Sequence, residues 1–304
     1  MGIRIGTAER DGTFHSQGIA LKPVLDRRAA LAPVEVLESS SASIENANRL
    51  HVGEIELGFM ASNWIGRAKN GEPPFAQPID IRMVAPMNAG PLFFIVRAGS
   101  DIRTVADLRG RRVAVGMKTS GMVQHAHNIF GVLGQSFSDF TPVYLDFAVG
   151  ADALALGEVD AQFQCPIPNK VMTELSERIA VRVLPYVAGD LDRLVRAVSF
   201  YRPVTMRTGA ICGLDADMAQ PAVVNILATH ARVPDWVVRE AVTAIVAGAD
   251  ELGRGNPLFA GLGELFEPLR TQGPLALAFG GVALHPGALA AYRDAGLLFE
   301  PAAE

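Results

Sequence analysis

Residues 34–63, VEVLESSSASIENANRLHVGEIELGFMASN, decide the fold. The run around 34–39 reads as a short strand, SIENANRLHVGE as a helix for which Ser43 offers an N-cap, and IELGFMAS as a strand again. Strand, helix, strand at this spacing is the unit of a parallel sheet with helices packed on its faces. Working outward toward the N-terminus, IRIGTA at 3–8 is another strand. GIALKPVLDRR at 18–28 carries apolar residues at helical spacing, although Pro23 argues against one uniform helix.

Toward the C-terminus the same grammar repeats. PLFFIVRAGSD (91–101) is an apolar strand, TVADLRG (104–110) a short helix stopped by Gly110, and RRVAVGM (111–117) a strand that leads into KTSG. MVQHAHNIFGVLG then reads as a helix, DFTPVYLDF as a strand, GADALALGEVD as a helix and AQFQC as a strand. A β-branched run follows near 210–231, and 233–255 has the pattern of one long amphipathic helix. Residues 253–281 are rich in Gly and Pro, and PLFAGLGELFEPL within them suggests a pair of short helices. The expected class is α/β with two lobes, one from residues 1–92 and 233–304 and the other from 93–232, the two crossings forming a hinge.

The bulk numbers set limits on function. A chain of 304 residues with 49% hydrophobic content can bury two medium-sized cores. A formal charge of −5 and six scattered histidines offer no basic stripe for a phosphate backbone, so nucleic acid is not an expected partner. Cys165 and Cys212 lie far apart with no ligand-like spacing around them, so neither a metal nor a cofactor is expected. No apolar run approaches the roughly 20 residues that span a bilayer, so the chain is not expected to be membrane-embedded. The opening MGIRIGTAERDG already reads as strand and turn, without the basic and apolar regions of a signal peptide. Two expectations follow: a leader was replaced by Met1, or the protein is cytoplasmic.

Several collinear strings, namely RIGTAERDGTFHSQG (4–18), SIENANRLHVGEIELGFMASN (43–63), DIRTVADLRGRRVAVGMKTSG (101–121), GADALALGEVDAQF (150–163) and LHPGALAAYRDAG (284–296), resemble the TAXI family of TRAP-transporter solute receptors. The resemblance spans most of residues 3–297 and weakens between about 180 and 280. It implies a type II periplasmic-binding fold with a ligand cleft between lobes, a small carboxylate ligand such as an amino acid or dicarboxylate, TRAP transporter membrane subunits as partners, a periplasmic location and no catalysis. The chain departs from the family at Glu9, Arg10 and Asp11, where small residues are usual, and at Met117 and Lys118 in the KTSG loop. A changed pocket is expected there.

The candidate site residues gather at three helix starts. GTAERDGTF supplies Thr7, Arg10, Thr13 and Phe14; SSSASIEN supplies Ser41 and Ser43; KTSGMV supplies Thr119, Ser120 and Gly121. Free backbone N–H groups and the positive dipole end favour an anion at such starts, and small hydroxyl side chains add donors. The plainer reading of each is an N-cap, worth about 1 kcal/mol. Met60, Ser62 and Asn63 end a strand, where side chains of open α/β sheets face the ligand crevice, whereas Phe59 reads as core. Cys165 and Asn169 follow the strand AQFQC; the thiol reads as a small buried hydrophobe before it reads as a nucleophile.

Three cations compete for a ligand carboxylate. Arg10 is either such a cation or a surface partner of Glu9 or Asp11, Lys118 has the same two readings, and Arg207 offers a bidentate fork from a more ambiguous region. His125 and His127 are two apart, so on a helix they face different ways and cannot form a one-face metal pair. His285 reads as a structural hydrogen-bonding residue. The rival reading is a cytoplasmic enzyme on the same fold, such as a decarboxylase of an aromatic carboxylate, motivated by His15, His125, His127 and Cys165. No nucleophile and base at recognisable spacing and no phosphate-binding motif support it.

Overall fold

A computed structural model describes residues 2–10, 12–118 and 120–298. The chain begins with β1 (Ile3–Gly6), α1 (Thr13–Asp26), β2 (Val34–Leu37), α2 (Ser43–Val52), β3 (Leu57–Ala61), α3 (Ser62–Asn70) and β4 (Ile81–Pro91). It continues through β5 (Phe93–Arg97), β6 (Arg112–Ala114), α4 (Gly121–Val132), β7 (Thr141–Val143), α5 (Phe147–Leu156), β8 (Ala161–Gln164), α6 (Lys170–Arg178), β9 (Val181–Val183), α7 (Asp190–Ala197) and β10 (Tyr201–Met206). It closes with β11 (Met218–His230), α8 (Asp235–Ala247), α9 (Ala249–Gly255), α10 (Pro268–Gln272) and α11 (Pro286–Asp294), with four short 3-10 turns between elements.

Two compact units result, Met1–Asn88 with Val224–Glu304 and Ala89–Val223. The boundaries fall inside β4 and β11, not at 92/93 and 232/233 as the sequence suggests. The reason is that both strands are long, and β4 is hard to read because Pro86 and Pro91 disguise it as loop.

In the first unit β1 lies between β2 and β3, parallel to both, with Ile3 opposite Val34 and Ile5 opposite Leu57. The second half of β11 runs antiparallel to β3, and β4 pairs with β11. Helix α1 buries Phe14, Gln17, Gly18, Leu21, Val24 and Leu25, the 3–4 spacing of a single helical face. Pro23 does not interrupt it. The carbonyl that loses its helical donor belongs to Ile19, four residues back on the exposed side, where water substitutes at low cost. The long helix expected over 233–255 is instead two helices, broken at Gly248, and the 257–269 pair forms 3-10 turns rather than α-helices.

The second unit carries the sheet order β7-β6-β8-β5-β9, with β6 parallel to β7 and β8, and β5 antiparallel to β8 and β9. Phe94 stacks on Phe163 at 4.6 Å and meets Phe130 of α4 at 5.4 Å, so α4 is fixed to its sheet by aromatic packing. The TVADLRG helix is a 3-10 turn closed by a capping box, in which the Asp107 carboxylate accepts from the Arg103 and Thr104 amides.

Helix α11 packs on α8 in the first unit. His285 caps α11 by accepting from the Gly287 amide at 3.2 Å, in keeping with the structural role read for it. A side chain at Gly287 would place its Cβ 2.1 Å from the Asp235 carbonyl oxygen, a backbone atom that cannot step aside. Gly287→Ala should therefore destabilise the protein by about 1–3 kcal/mol, whereas Gly99→Ala, with open space around it, should stay within about 0.5 kcal/mol of wild type in urea unfolding.

Candidate functional site

In open α/β sheets the ligand crevice opens at the carboxyl ends of the strands, where neighbouring strands send their connections in opposite directions. The first unit has that point between β1 and β3: the chain leaves β1 toward β2, while β2 returns across β1 to reach β3. The second unit has it between β6 and β8, because β6 leads to β7 on one side and β8 leads to β9 on the other. Each unit thus carries one crevice position.

The first-unit crevice is bounded by the loops after Gly6, Leu37 and Ala61, which carry most of the sequence candidates. Thr7 is buried, its hydroxyl donating to the Leu37 carbonyl at 2.8 Å. Its own carbonyl accepts from Ser39 Oγ at 2.8 Å and Asn46 Nδ2 at 2.7 Å. Asn46 also donates to the Phe59 carbonyl at 2.9 Å, tying the ends of β1 and β3 together. Thr13 opens α1 behind Gly12, a cap with no side chain to occupy the first amides. Phe14 stacks on Phe59 at 5.7 Å and belongs to the core with it. Met60 is fully buried, and Ser62 Oγ accepts from the Val224 amide at 3.1 Å. Asn63 is half-buried in the first turn of α3.

Helix α2 does not start as the sequence suggests. Its N-cap is Ala42, a non-glycine residue at φ 43°, and Ser43 is the first helical residue, its hydroxyl accepting from the Ala61 amide at 3.0 Å. The amides of Ser40 and Ser41 point to the Glu45 carboxylate, at 2.9 and 3.4 Å, and these bonds hold that acid below the usual carboxylate range. The amides of the serine loop before this helix are thus taken by the chain itself. Arg10 pairs with Glu38 at 2.9 Å rather than with Glu9; Asp11, its other suggested partner, lies outside the described residues.

Sequence reasoning missed a second polar group here. Gln17 Nε2 and Asn225 Nδ2 both donate to Asn88 Oδ1 at 2.9 Å, linking α1, β4 and β11. The three residues lie more than 70 positions apart, so no spacing could mark them.

In the second unit Ser120 caps α4 by position but not by bonding: its hydroxyl is buried and has no hydrogen-bond partner among the described residues. Gly121 begins the helix, and Thr119 lies outside the described residues. At the end of β8, Gln164 is fully buried with Nε2 equally unpartnered, while its Oε1 accepts from Asn169 Nδ2 at 3.1 Å. Asn169 caps α6, accepting from the Met172 amide at 3.3 Å. Two buried neutral donors without partners therefore flank the crevice between β6 and β8. Burying such groups is unfavourable unless something accepts from them.

Arg207 is not brought to this edge. It pairs with Asp217 at 2.9 Å on the exposed β10–β11 turn. The turn reaches Val181 through Gly213, at the amino end of β9, and β9 runs parallel to β8. That is the edge opposite the crevice. Lys118 lies over the Tyr144 ring at 5.9 Å. The residues that motivated an enzyme also fail to assemble: His125 is buried with Nδ1 on the Tyr201 hydroxyl at 2.8 Å, and His127 is exposed and stacked on Phe137. Cys165 donates to the Gly90 carbonyl at 3.6 Å, and burial pushes its thiol up to about 12, the reverse of an activated nucleophile. His15, on α1, has a buried Nδ1 with no partner among the described residues. Among those residues no three His, Cys, Asp or Glu side chains cluster as a metal site, and no helix is long and apolar enough to cross a membrane.

A profile of the NMT1-like family matches residues 5–296, nearly the whole chain. The chain belongs to the NMT1-like family. Its fold is shared with a TctC solute-binding protein from Polaromonas, at TM-score 0.57 and 14% identity over 85% of each chain. It is also shared with a structure from Methylobacillus flagellatus described as a putative periplasmic sulfonate-binding protein of an ABC transporter, at TM-score 0.56 and 16% identity over 98% of this chain and 88% of that one. Both are described as binding proteins.

In this NMT1-like protein burial lowers His125 to about 4 from its ordinary 6.5, so the folded chain keeps it neutral. Between those values the unfolded chain binds a proton that the folded chain refuses. The stability held above about pH 6.5 is thus lost as pH falls toward 4. Urea unfolding at steps from pH 7.5 to 4 should show this fall, and His125→Gln should flatten it; burial lowers His285 and His230 too, so a residual slope remains.

Proposed function

We propose that this NMT1-like protein is a solute-binding receptor for a small acid, held at the strand-end crevice of the second unit and passed to a membrane transporter. The observation that carries the reading is the pair of buried, unpartnered donors, Ser120 Oγ and Gln164 Nε2, at the switch point of the second unit. Together with the first amides of α4 they present N–H and O–H groups and no acid–base pair, which suits holding an anion and not transforming it. The described architecture of its fold relatives supports the same reading, as does the collinear resemblance to TAXI receptors.

The finer parts of the proposal follow from that resemblance: a TRAP-type transporter as partner, a periplasmic location, and a carboxylate as the anion. In the second unit the donors of the proposal are Ser120, Gly121 and Asn169.

Native mass spectrometry with amino acids, dicarboxylates, keto acids and aromatic acids should give a one-to-one adduct with the compound recovered unchanged. Consumption of a compound with a matching new product would overturn the reading in favour of the enzyme. Ser120→Ala should weaken binding about tenfold, the cost of a lost hydrogen bond to a charged group, without changing thermal stability. Arg10→Ala and Arg207→Ala should leave affinity within about twofold, because each already serves a surface carboxylate.

A further inference from the structure

We infer that the ligand of this site is a monoanionic acid with an apolar body, an alkyl or aryl acid rather than a dicarboxylate or a polar amino acid. The inference rests on the receptor reading and specifies its substrate class. The loops that follow β6 and β7 lie side by side, since Ala114 is opposite Val143 and the Val115 amide donates to the Val143 carbonyl at 3.0 Å. They present Met117, 53% exposed, and Tyr144, 38% exposed, and the first turn of α5 adds Val149, 49% exposed. Large apolar side chains are thus turned to solvent beside the two buried donors that have no partner among the described residues. Apolar surface next to a few unsatisfied polar groups is the ordinary composition of a small-molecule site.

The charges there fit one negative group and exclude a second. Lys118, lying over Tyr144, makes no ion pair among the described residues, whereas Lys170, beside Asn169, is paired with Glu174 at 3.5 Å. Ser120, Gln164 and Asn169 are neutral. The start of α5 is already occupied by a carboxylate, because Asp146 accepts from the Val149 amide at 2.8 Å. A ligand with its acid at the start of α4 and a second carboxylate reaching toward Tyr144 would meet the like charge of Asp146 with no cation left to offset it. A ring or alkyl chain in that direction would instead cover Met117, Tyr144 and Val149 and remove them from water.

Isothermal titration calorimetry of the full chain with phenylacetate, hexanoate, acetate, succinate and glutamate tests this. Phenylacetate or hexanoate should bind at least about tenfold more tightly than acetate, succinate or glutamate, the contribution of a modest apolar area. The double substitution Met117→Ser with Tyr144→Ser, at two exposed positions, should reduce that advantage below about threefold. Asp146→Asn keeps a capping side chain and should raise succinate affinity several-fold. Tighter binding of succinate or glutamate than of the apolar acids, or an apolar preference that survives the double substitution, would overturn the inference and leave a receptor for polar acids. Failure of every acid to bind would overturn the receptor reading along with it.

Discussion

The carboxamide of Asn46 is the constraint on which the first unit depends. From α2 it donates to Thr7 O at 2.7 Å and Phe59 O at 2.9 Å, so the carboxyl ends of β1 and β3 are held at one spacing. Because the amide is fully buried, loss of either bond would leave its Nδ2 short of an acceptor in the core. It also dictates a neighbour: a side chain at Gly6 would stand 2.4 Å from Asn46 Oδ1. The crevice position between β1 and β3 therefore follows from a polar bond inside the molecule, and Thr7, Ser43 and Ser62 are spent on keeping it in place.

The second unit solves the same problem differently. Its strand ends are set by aromatic packing on one face, with Phe94 between Phe163 and Phe130. On β8 a side-chain amide, Gln162 Nε2, donates to the Phe147 carbonyl at 2.8 Å and anchors the start of α5. The polar groups Ser120 Oγ and Gln164 Nε2 are left over from that framework. A donor buried without a partner among the described residues weakens the fold unless something accepts from it. The two units thus differ at their strand ends: the first ties β1 to β3 through Asn46, while the second leaves the Ser120 and Gln164 donors without partners among the described residues.

Much of this was legible in the chain because it depends on short-range chemistry. The strand–helix alternation through β8, the face of α1 and the opposed faces of His125 and His127 follow from periodicity alone. The misreadings have local causes as well. Two prolines hid β4, a lone Gly248 broke the expected long helix, and Ser43 looked like a cap because serine usually is one, whereas its hydroxyl is drawn to the Ala61 amide on β3. The candidate site was legible only as a set of loops. Thr13, Ser41 and Ser120 were found as helix starts and Asn169 only as a residue after a strand, but which of them keep free donors could not be read, because Glu45 takes the amides before α2 and Asp146 caps α5 through side-chain geometry.

By itself the sequence determined the α/β class, the alternation of its elements and the positions of the helix starts, all of which are set by residues within a turn or two of each other. Tertiary structure alone decided what those positions do. It set Arg10 on Glu38 and Arg207 on Asp217 at the far edge of the sheet, sealed Cys165 against Gly90, and joined Gln17, Asn88 and Asn225. The physical reason is that hydrogen bonds and ion pairs saturate: a donor or charge is available to a ligand only if no neighbour in space has already taken it, and those neighbours lie tens to hundreds of residues away along the chain.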